Sequence, residues 1–458
     1  MDFLLLALAL LLLLMAGLGT SLMVLPKEHR VGTSELFGLS FLLGSAVVSA
    51  LSFVLGFALS GALLRGTVAA LCVLLCLSSL RWRGWRIKSR EVFPADGIGW
   101  LLLALGLLQT GVVAWLCFWR VLGWDGLFNF ESKARLAFLN GGVIPLEFFS
   151  DPTRTWTLQS YPLLLPLTES WLYLWLGRAD QELVKIIFVL FFAAALCLLH
   201  GGARSLGLSG WRMFVAPLAL FTAPLLLIGD GSASSGYADF PLAVFYLAAV
   251  IWLMEFWRNG NGAALRVAGV LLAAACWLKQ DGAILWLTAM MIVVIRTWFN
   301  GTDWRRWRTL AAAASPGAAV ITGWQLFVRL NHSLNISQFS PPSLGTLRTN
   351  IWRAPAIVAA VGGELLNWRH WSVFWLLGLI ATVILWQSKS RELRWLPLLV
   401  LLPLVFYSGI YMFSLWPSFL THLESSFPRL LIHTSLVGAL LIGEALRKRQ
   451  RLSGPTYT

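Results

Sequence analysis

The chain has 458 residues, of which 58% are hydrophobic and 12% are charged, and its formal net charge is +14 at pH 7. This composition excludes an ordinary soluble enzyme, because apolar runs of about 20 residues recur along the whole chain. The basic excess does not indicate a partner nucleic acid, since it is confined to loops on one side of the predicted spans, where it sets the topology.

The hydrophobic pattern predicts an all-α polytopic membrane protein with about 13 transmembrane helices. They cover approximately residues 3–25, 36–59, 62–80, 98–119, 183–200, 212–228, 239–257, 264–279, 282–299, 310–329, 371–387, 395–414 and 429–446. With the basic segment Arg81–Arg90 assigned to the cytoplasm, the N-terminus lies outside and the C-terminus inside. The outer side then carries as many acidic as basic residues, so the whole net charge falls on the cytoplasmic side.

The cytoplasmic loops are short and basic, and they contain no Walker lysine motif and no glycine-rich dinucleotide fingerprint. Any chemistry is therefore expected on the outer face. Two long outer loops lie there, at about residues 120–182 and 330–370, together with two short turns.

The first long loop contains WDGLFNFESKARLAFLNGG and then SYPLLLPL. Asp125 is suited to orient and deprotonate an acceptor hydroxyl, or equally to cap the helix that follows it. Phe128–Leu139 is expected to form a short amphipathic helix at the membrane interface. Glu131 and Lys133 on this helix are candidate site residues, but a helix of this kind also needs charges that face water, and this need explains them as well. Tyr161 would stack on a sugar ring, or anchor the loop at the membrane interface.

Two short outer turns add further charges. In the turn Gly229–Asp239, Asp230 and Asp239 flank a run of small residues that lets backbone approach a ligand closely. Asp239 also begins a span and would cap it. In the tight turn KQDG, Lys279 and Asp281 either pair with each other or leave Lys279 to bind a lipid phosphate.

The last outer segment is HLESSFPR, just before the final span. Arg429 offers fixed charge for a phosphate oxygen, or its side chain extends to the interface without a specific partner. His422 is suited to donate a hydrogen bond or to protonate a leaving group.

Five motifs, in order, resemble those of bacterial GT-C membrane glycosyltransferases of the family 39 type, relatives of protein O-mannosyltransferases and lipid A aminoarabinose transferases. They are WDGLFNFESKARLAFLNGG, SYPLLLPL, SSGYADFPLA, WLKQDGAILW and HLESSFPRLLIH. The resemblance implies a GT-C arrangement of helices and an inverting transfer. The donor would be a polyprenyl-phosphate-linked sugar, and the acceptor a hydroxyl of a cell-envelope glycan, lipid or protein. Residues 98–458 would form the catalytic region in a bacterial inner membrane, and residues 1–97 a three-helix segment without an assigned role.

The resemblance also implies roles for individual residues. Asp125 would handle the acceptor, while Lys279 and Arg429, with His422, would hold the donor phosphate. Relatives often have paired acids at the first-loop motif, but here Asp125 is followed by Gly126. Glu131 or Asp239 would supply a second carboxylate, and the need for a divalent cation stays open.

Two other classes of membrane protein are compatible with a hydrophobic chain that has these loops. A transporter or flippase of a lipid-linked glycan would have polar residues strung along a path through the bilayer. A non-catalytic assembly factor would need no convergent set of acids and bases. The concentration of ionisable residues at one face favours the transferase.

Overall fold

The structure is a computed structural model that describes residues 1–26, 31–84, 96–205, 207–208, 210–299, 304–334, 338–387 and 393–453. All regular structure in these ranges is helical, apart from one isolated bridge between Phe339 and Ser414. Several basic residues of the predicted cytoplasmic loops lie outside the described residues: Lys27, Arg30 and those within 85–90 and 389–391.

The chain is a multi-pass helical membrane protein. Among the described residues, nine helices are long and apolar enough to cross a membrane. They are α1 (Asp2–Val24), α2 (Thr33–Leu55), α3 (Gly61–Arg83), α4 (Gly97–Trp119), Gln181–Arg204, Asp239–Asn259, Asp281–Phe299, Trp304–Leu330 and Phe419–Leu446. Three shorter apolar helices are Gly262–Leu278, Phe374–Trp386 and Leu398–Phe413.

Two helices lie in the loop that follows α4, namely α5 (Ser132–Leu139) and α6 (Leu164–Leu176), and α7 (Ile186–Ser205) follows this loop. The next helices are α8 (Asp239–Asn259), α9 (Gly262–Leu278), α10 (Asp281–Phe299), α11 (Trp304–Leu330), α12 (Ala354–Leu365), α13 (Phe374–Trp386), α14 (Leu398–Gly409) and α15 (Phe419–Ser453).

The span predicted at residues 212–228 is not one continuous helix. Short 3-10 and α-helical pieces replace it, and Pro217 and Pro224 explain the breaks because proline cannot donate a backbone hydrogen bond. The broken stretch nevertheless runs along α15, since Ala216 lies against Gly443 and Gly231 lies against Arg429.

The N-terminal helices pack tightly on each other and on the first outer loop. A Cβ on Gly17 of α1 would lie 1.6 Å from the Ser40 carbonyl oxygen of α2, so only glycine fits this crossing. The indole Nε1 of Trp171 on α6 donates a hydrogen bond to the Ala9 carbonyl at 3.0 Å. Residues 1–97 thus support the loop that carries the first candidate motif.

Helix α8 forms the centre of the bundle. Every side chain from Asp239 to Met254 is buried, and α8 packs against α7, α9 and α15. Its first residue is an aspartate, so a carboxylate is held inside protein at one end of a helix that is buried along most of its length. Such a group needs partners, which the neighbouring outer segments supply.

Candidate active site

Two glycines press the first outer loop directly against the turn that precedes α8. The Gly123 amide donates a hydrogen bond to the Ser235 carbonyl oxygen at 2.8 Å. A Cβ on Gly126 would lie 2.7 Å from the same oxygen, so a larger residue does not fit there. This close approach brings Asp125, which lies between the two glycines, to the buried start of α8.

Asp239 is the centre of a charged cluster. Its Oδ1 accepts hydrogen bonds from Lys279 Nζ at 2.7 Å and from His433 Nε2 at 2.9 Å, and its Oδ2 accepts one from Arg429 at 3.1 Å. The residue is fully buried. A carboxylate in such surroundings stays ionised because these partners satisfy it, and the N-terminus of α8 adds a favourable dipole.

Lys279 supplies the second cation of the cluster. It follows the last residue of α9 in an extended conformation and is only 3% exposed. Its Nζ contacts Asp281 Oδ2 at 2.9 Å as well as Asp239. Burial alone would lower the pKa of Lys279, but the two carboxylates outweigh burial and raise that pKa above its ordinary value.

Arg429 links Asp125 to Asp239. Its Nη2 donates a short hydrogen bond to Asp125 Oδ2 in addition to the bond to Asp239. The guanidinium lies 4.6 Å from the centroid of the Tyr237 ring, a cation–π contact. The side chains of Arg429 and Asp125 are 20% and 16% exposed, and that of Asp281 is 22% exposed, so these three residues form the reachable edge of the cluster.

His433 belongs to the cluster, although it was not predicted as a site residue from the sequence. Its Nε2 bonds to Asp239, which as a carboxylate can only accept, and its Nδ1 lies 3.0 Å from the Tyr407 hydroxyl. His433 follows Arg429 by four residues on α15, and this spacing places both on one helix face. That spacing was the signal that could have identified it.

The first loop supplies Asp125 with a second partner, Asn129, whose Nδ2 donates to Asp125 Oδ1 at 2.9 Å. The helix predicted at Phe128–Leu139 is present and begins with a π-helical turn, Gly126–Glu131. Glu131 points elsewhere, because its Oε1 accepts hydrogen bonds from Tyr173 and Arg135. Asp239, not Glu131, is the carboxylate that shares a basic group with Asp125.

Two other predicted binding residues lie apart from the hydrogen-bonded cluster. Asp230 is exposed on its turn. His422 lies two helical turns before Arg429, where its ring stacks on Trp416 and its Nδ1 is 2.8 Å from Ser414 Oγ. The cluster's histidine is therefore His433 on the following turns of the same helix.

Tyr161 lies beside the cluster. Gln280 of the KQDG turn donates a hydrogen bond to Ser160 Oγ at 2.8 Å, which ties the Tyr161 loop to the Lys279 turn. Burial raises the pKa of Tyr161 to about 12, and the nearby Lys279 opposes that shift. The phenol is therefore neutral at ordinary pH and able to donate or accept hydrogen bonds.

Lys133 is a further buried cation near Asp125. It is 1% exposed, its Nζ donates to the Leu158 carbonyl at 2.9 Å, and it lies 5.6 Å from the centroid of the Tyr161 ring. Burial lowers the pKa of Lys133 to about 7, and the charge of Asp125 opposes that shift.

The stability of the protein is expected to rise with pH as Lys133 loses its proton. The pKa is about 7 in the folded protein against an ordinary value of 10.5, so between these values the unfolded chain binds the proton more tightly. The burial penalty is complete below pH 7 and falls as pH rises. Lys133→Met should therefore raise the unfolding temperature in detergent most at pH 6, with a smaller gain at pH 9.

Arg135→Met on the same helix is the matched control, because arginine does not titrate in this range. Its unfolding temperature should differ from that of wild type by the same amount at pH 6 and pH 9. A difference between Lys133→Met and wild type that does not change with pH would contradict this assignment.

The cluster does not have the form of a metal site. Among the described residues, no group of three or more His, Cys, Asp or Glu side chains is placed to hold a metal ion. The carboxylates of Asp125, Asp239 and Asp281 each contact Arg429 or Lys279 instead. The need for a divalent cation stays open.

Comparisons with protein-family models, with curated proteins and with solved structures give no match for this chain.

Proposed function

We propose that the protein is an inverting membrane glycosyltransferase that moves a sugar from a polyprenyl phosphate to a hydroxyl of a cell-envelope glycan, lipid or protein. The observation that carries this proposal is the pairing of Asp125 with Arg429 at the reachable edge of the cluster. A base for a hydroxyl and a fixed cation for a phosphate lie side by side there. Such a pair suits a reaction in which a hydroxyl replaces a phosphate at one carbon.

In the proposed step, Asp125 accepts the proton of the acceptor hydroxyl, whose oxygen forms a bond to the anomeric carbon of the donor. The bond between that carbon and the phosphate oxygen breaks, and its electron pair leaves with the phosphate. Attack on the face opposite the phosphate inverts the anomeric configuration. Arg429 stabilises the negative charge that develops on the departing phosphate.

Arg429 has a donor available for that phosphate. Its Nε is buried and has no hydrogen-bond acceptor among the described residues, while its Nη2 is engaged with the two carboxylates. A buried unsatisfied donor is unfavourable and is satisfied when a phosphate oxygen binds. Lys279, bonded to Asp239 and Asp281, would add positive potential behind the guanidinium without leaving its partners.

In the proposed topology, the chain crosses a bacterial inner membrane thirteen times, with the broken stretch at 210–228 counted as one crossing, its helices have a GT-C-like arrangement, and the cluster lies on the outer face. Nucleotide sugars are not ordinarily available on that face, so the activated sugar comes from a membrane lipid. A transporter of lipid-linked glycans would instead need its charges along the bilayer, whereas this cluster lies at one end of the bundle.

Purified wild-type protein is expected to retain polyprenyl phosphate or a polyprenyl-phosphate sugar, identified by mass spectrometry of the lipids that co-purify. Arg429→Gln removes the guanidinium and should lower the retained amount about tenfold or more, as expected for the loss of a charge-assisted phosphate contact.

Arg369→Gln is the control, because Arg369 belongs to the predicted outer side but not to the cluster, and it should leave the lipid content unchanged. Equal retention by wild type and Arg429→Gln would argue against a phosphate site at Arg429.

A further inference from the structure

One edge of the helical segment that begins at Asp125 is formed by Asp125, Asn129 and Lys133. This edge carries a buried hydrogen-bond acceptor that the proposed reaction does not use. Asn129 is 2% exposed, and its amide nitrogen is committed to Asp125. Its Oδ1 is also buried and accepts no hydrogen bond from any described residue. An amide oxygen in this position is unfavourable until a donor reaches it, so it marks a place where a ligand group with a hydrogen is expected.

Lys133 provides donors on the same edge. An ammonium group has three N–H donors, and the Leu158 carbonyl takes one of them at 2.9 Å. Leu158 holds a left-handed backbone conformation, with φ of 46°, that a leucine rarely adopts. Backbone strain of this kind persists where the surrounding structure requires it. Here the strained residue is the one whose carbonyl oxygen accepts the hydrogen bond from Lys133.

The three side chains follow one another along a single edge. Asp125, Asn129 and Lys133 are each four residues apart on a continuous helical segment, and side chains at this spacing share a face. The hydrogen bond between Asn129 and Asp125 shows this alignment for the first pair. The ammonium group of Lys133 lies 5.6 Å from the centroid of the Tyr161 ring, which lies beside the cluster. Single π-helical turns within helices occur frequently at functional sites.

We propose that this edge is a subsite for neighbouring hydroxyl groups of the donor sugar ring. This inference rests on the proposed function and names the part of the donor that the edge holds. One hydroxyl donates to Asn129 Oδ1, and a neighbouring hydroxyl accepts from Lys133 Nζ. A phosphodiester has no hydrogen to give the Asn129 carbonyl, so the unsatisfied acceptor favours a sugar ring over the phosphate at this position.

The test compares binding of two lipids to the purified full-length protein in detergent, with no turnover required. The probes are polyprenyl phosphate and polyprenyl phosphate linked to mannose or to glucose. Wild type is expected to bind at least one sugar-linked lipid about tenfold more tightly than the bare lipid. Asn129→Leu and Lys133→Met should each abolish that preference, while the affinity for bare polyprenyl phosphate stays within about twofold.

Asn140→Leu, at the far end of α5, is the control and should keep the preference of wild type. A variant at Asn129 that weakens both lipids equally, or a wild type that does not distinguish them, overturns the subsite. These measurements test the proposed subsite and the proposed reaction independently of each other. A sugar preference that depends on Asn129 in a protein that transfers no sugar refutes the transferase alone, and transfer without such a preference refutes the subsite alone.

Discussion

Asp125→Asn is expected to lower the rate of sugar transfer by about 10²–10⁴-fold, the usual contribution of a general base. Asparagine keeps the size of the side chain and can still accept a hydrogen bond from Arg429, so folding and donor binding should change little. Arg429 also keeps its contact with Asp239. The loss should therefore appear in kcat rather than in KM for the lipid donor, measured by transfer of labelled sugar in vesicles.

Asp151→Asn is the matched control for this prediction. Asp151 lies in the same outer loop, but its carboxylate bonds Thr153 and Arg154 rather than the cluster. Its replacement should leave transfer within about twofold of wild type, the effect of a change of a few tenths of a kcal/mol. Near-normal turnover by Asp125→Asn would remove Asp125 from the chemistry.

Asp239→Asn is expected to destabilise the protein by about 3 kcal/mol, because removing the buried carboxylate leaves the positive charges of its partners without their counter-charge. Lys279, Arg429 and His433 all share this one carboxylate. A neutral amide cannot accept equally from three basic groups, so the outer end of α8 should loosen. The measurement is thermal or denaturant unfolding in detergent.

Asp230→Asn tests whether the effect comes from the shared carboxylate. Asp230 lies on the same turn but is exposed, so its replacement should leave the unfolding midpoint unchanged. A loss of stability equal to that of Asp239→Asn would place the effect in the turn as a whole rather than in the ion pairs.

The helical membrane fold could be predicted from the sequence because apolar runs of sufficient length have few other outcomes. The broken stretch at 210–228 could not be separated from a span by hydropathy, since its composition is equally apolar. Pro217 and Pro224 are a weak signal for the breaks, because α11, α14 and α15 each contain a proline within one continuous helix. The stretch still lies along α15, which it contacts through Ala216 and Gly231.

The meeting of Asp125, Asp239, Lys279 and Arg429 was foreseeable because all four lie at the outer ends of predicted spans. Which of them touch each other was not foreseeable, because ion-pair partners depend on how helices pack. His433 and Asn129 were missed for the same reason. Each lies among apolar residues. Its role appears only when the spacing of four is combined with the packing of α15 against α8 and of the π-helical turn Gly126–Glu131 against the turn before α8.

The most direct test of a transferase at this site follows the fate of the donor lipid. Wild-type protein in vesicles would be given a labelled polyprenyl-phosphate sugar together with an extract of envelope acceptors. Transfer predicts that each labelled sugar joined to an acceptor releases one polyprenyl phosphate, with inversion at the anomeric carbon, and that Asp125→Asn lowers the rate of release by about 10²–10⁴-fold. Labelled lipid that crosses the bilayer intact, with no release of polyprenyl phosphate, would contradict a glycosyltransferase and support a flippase.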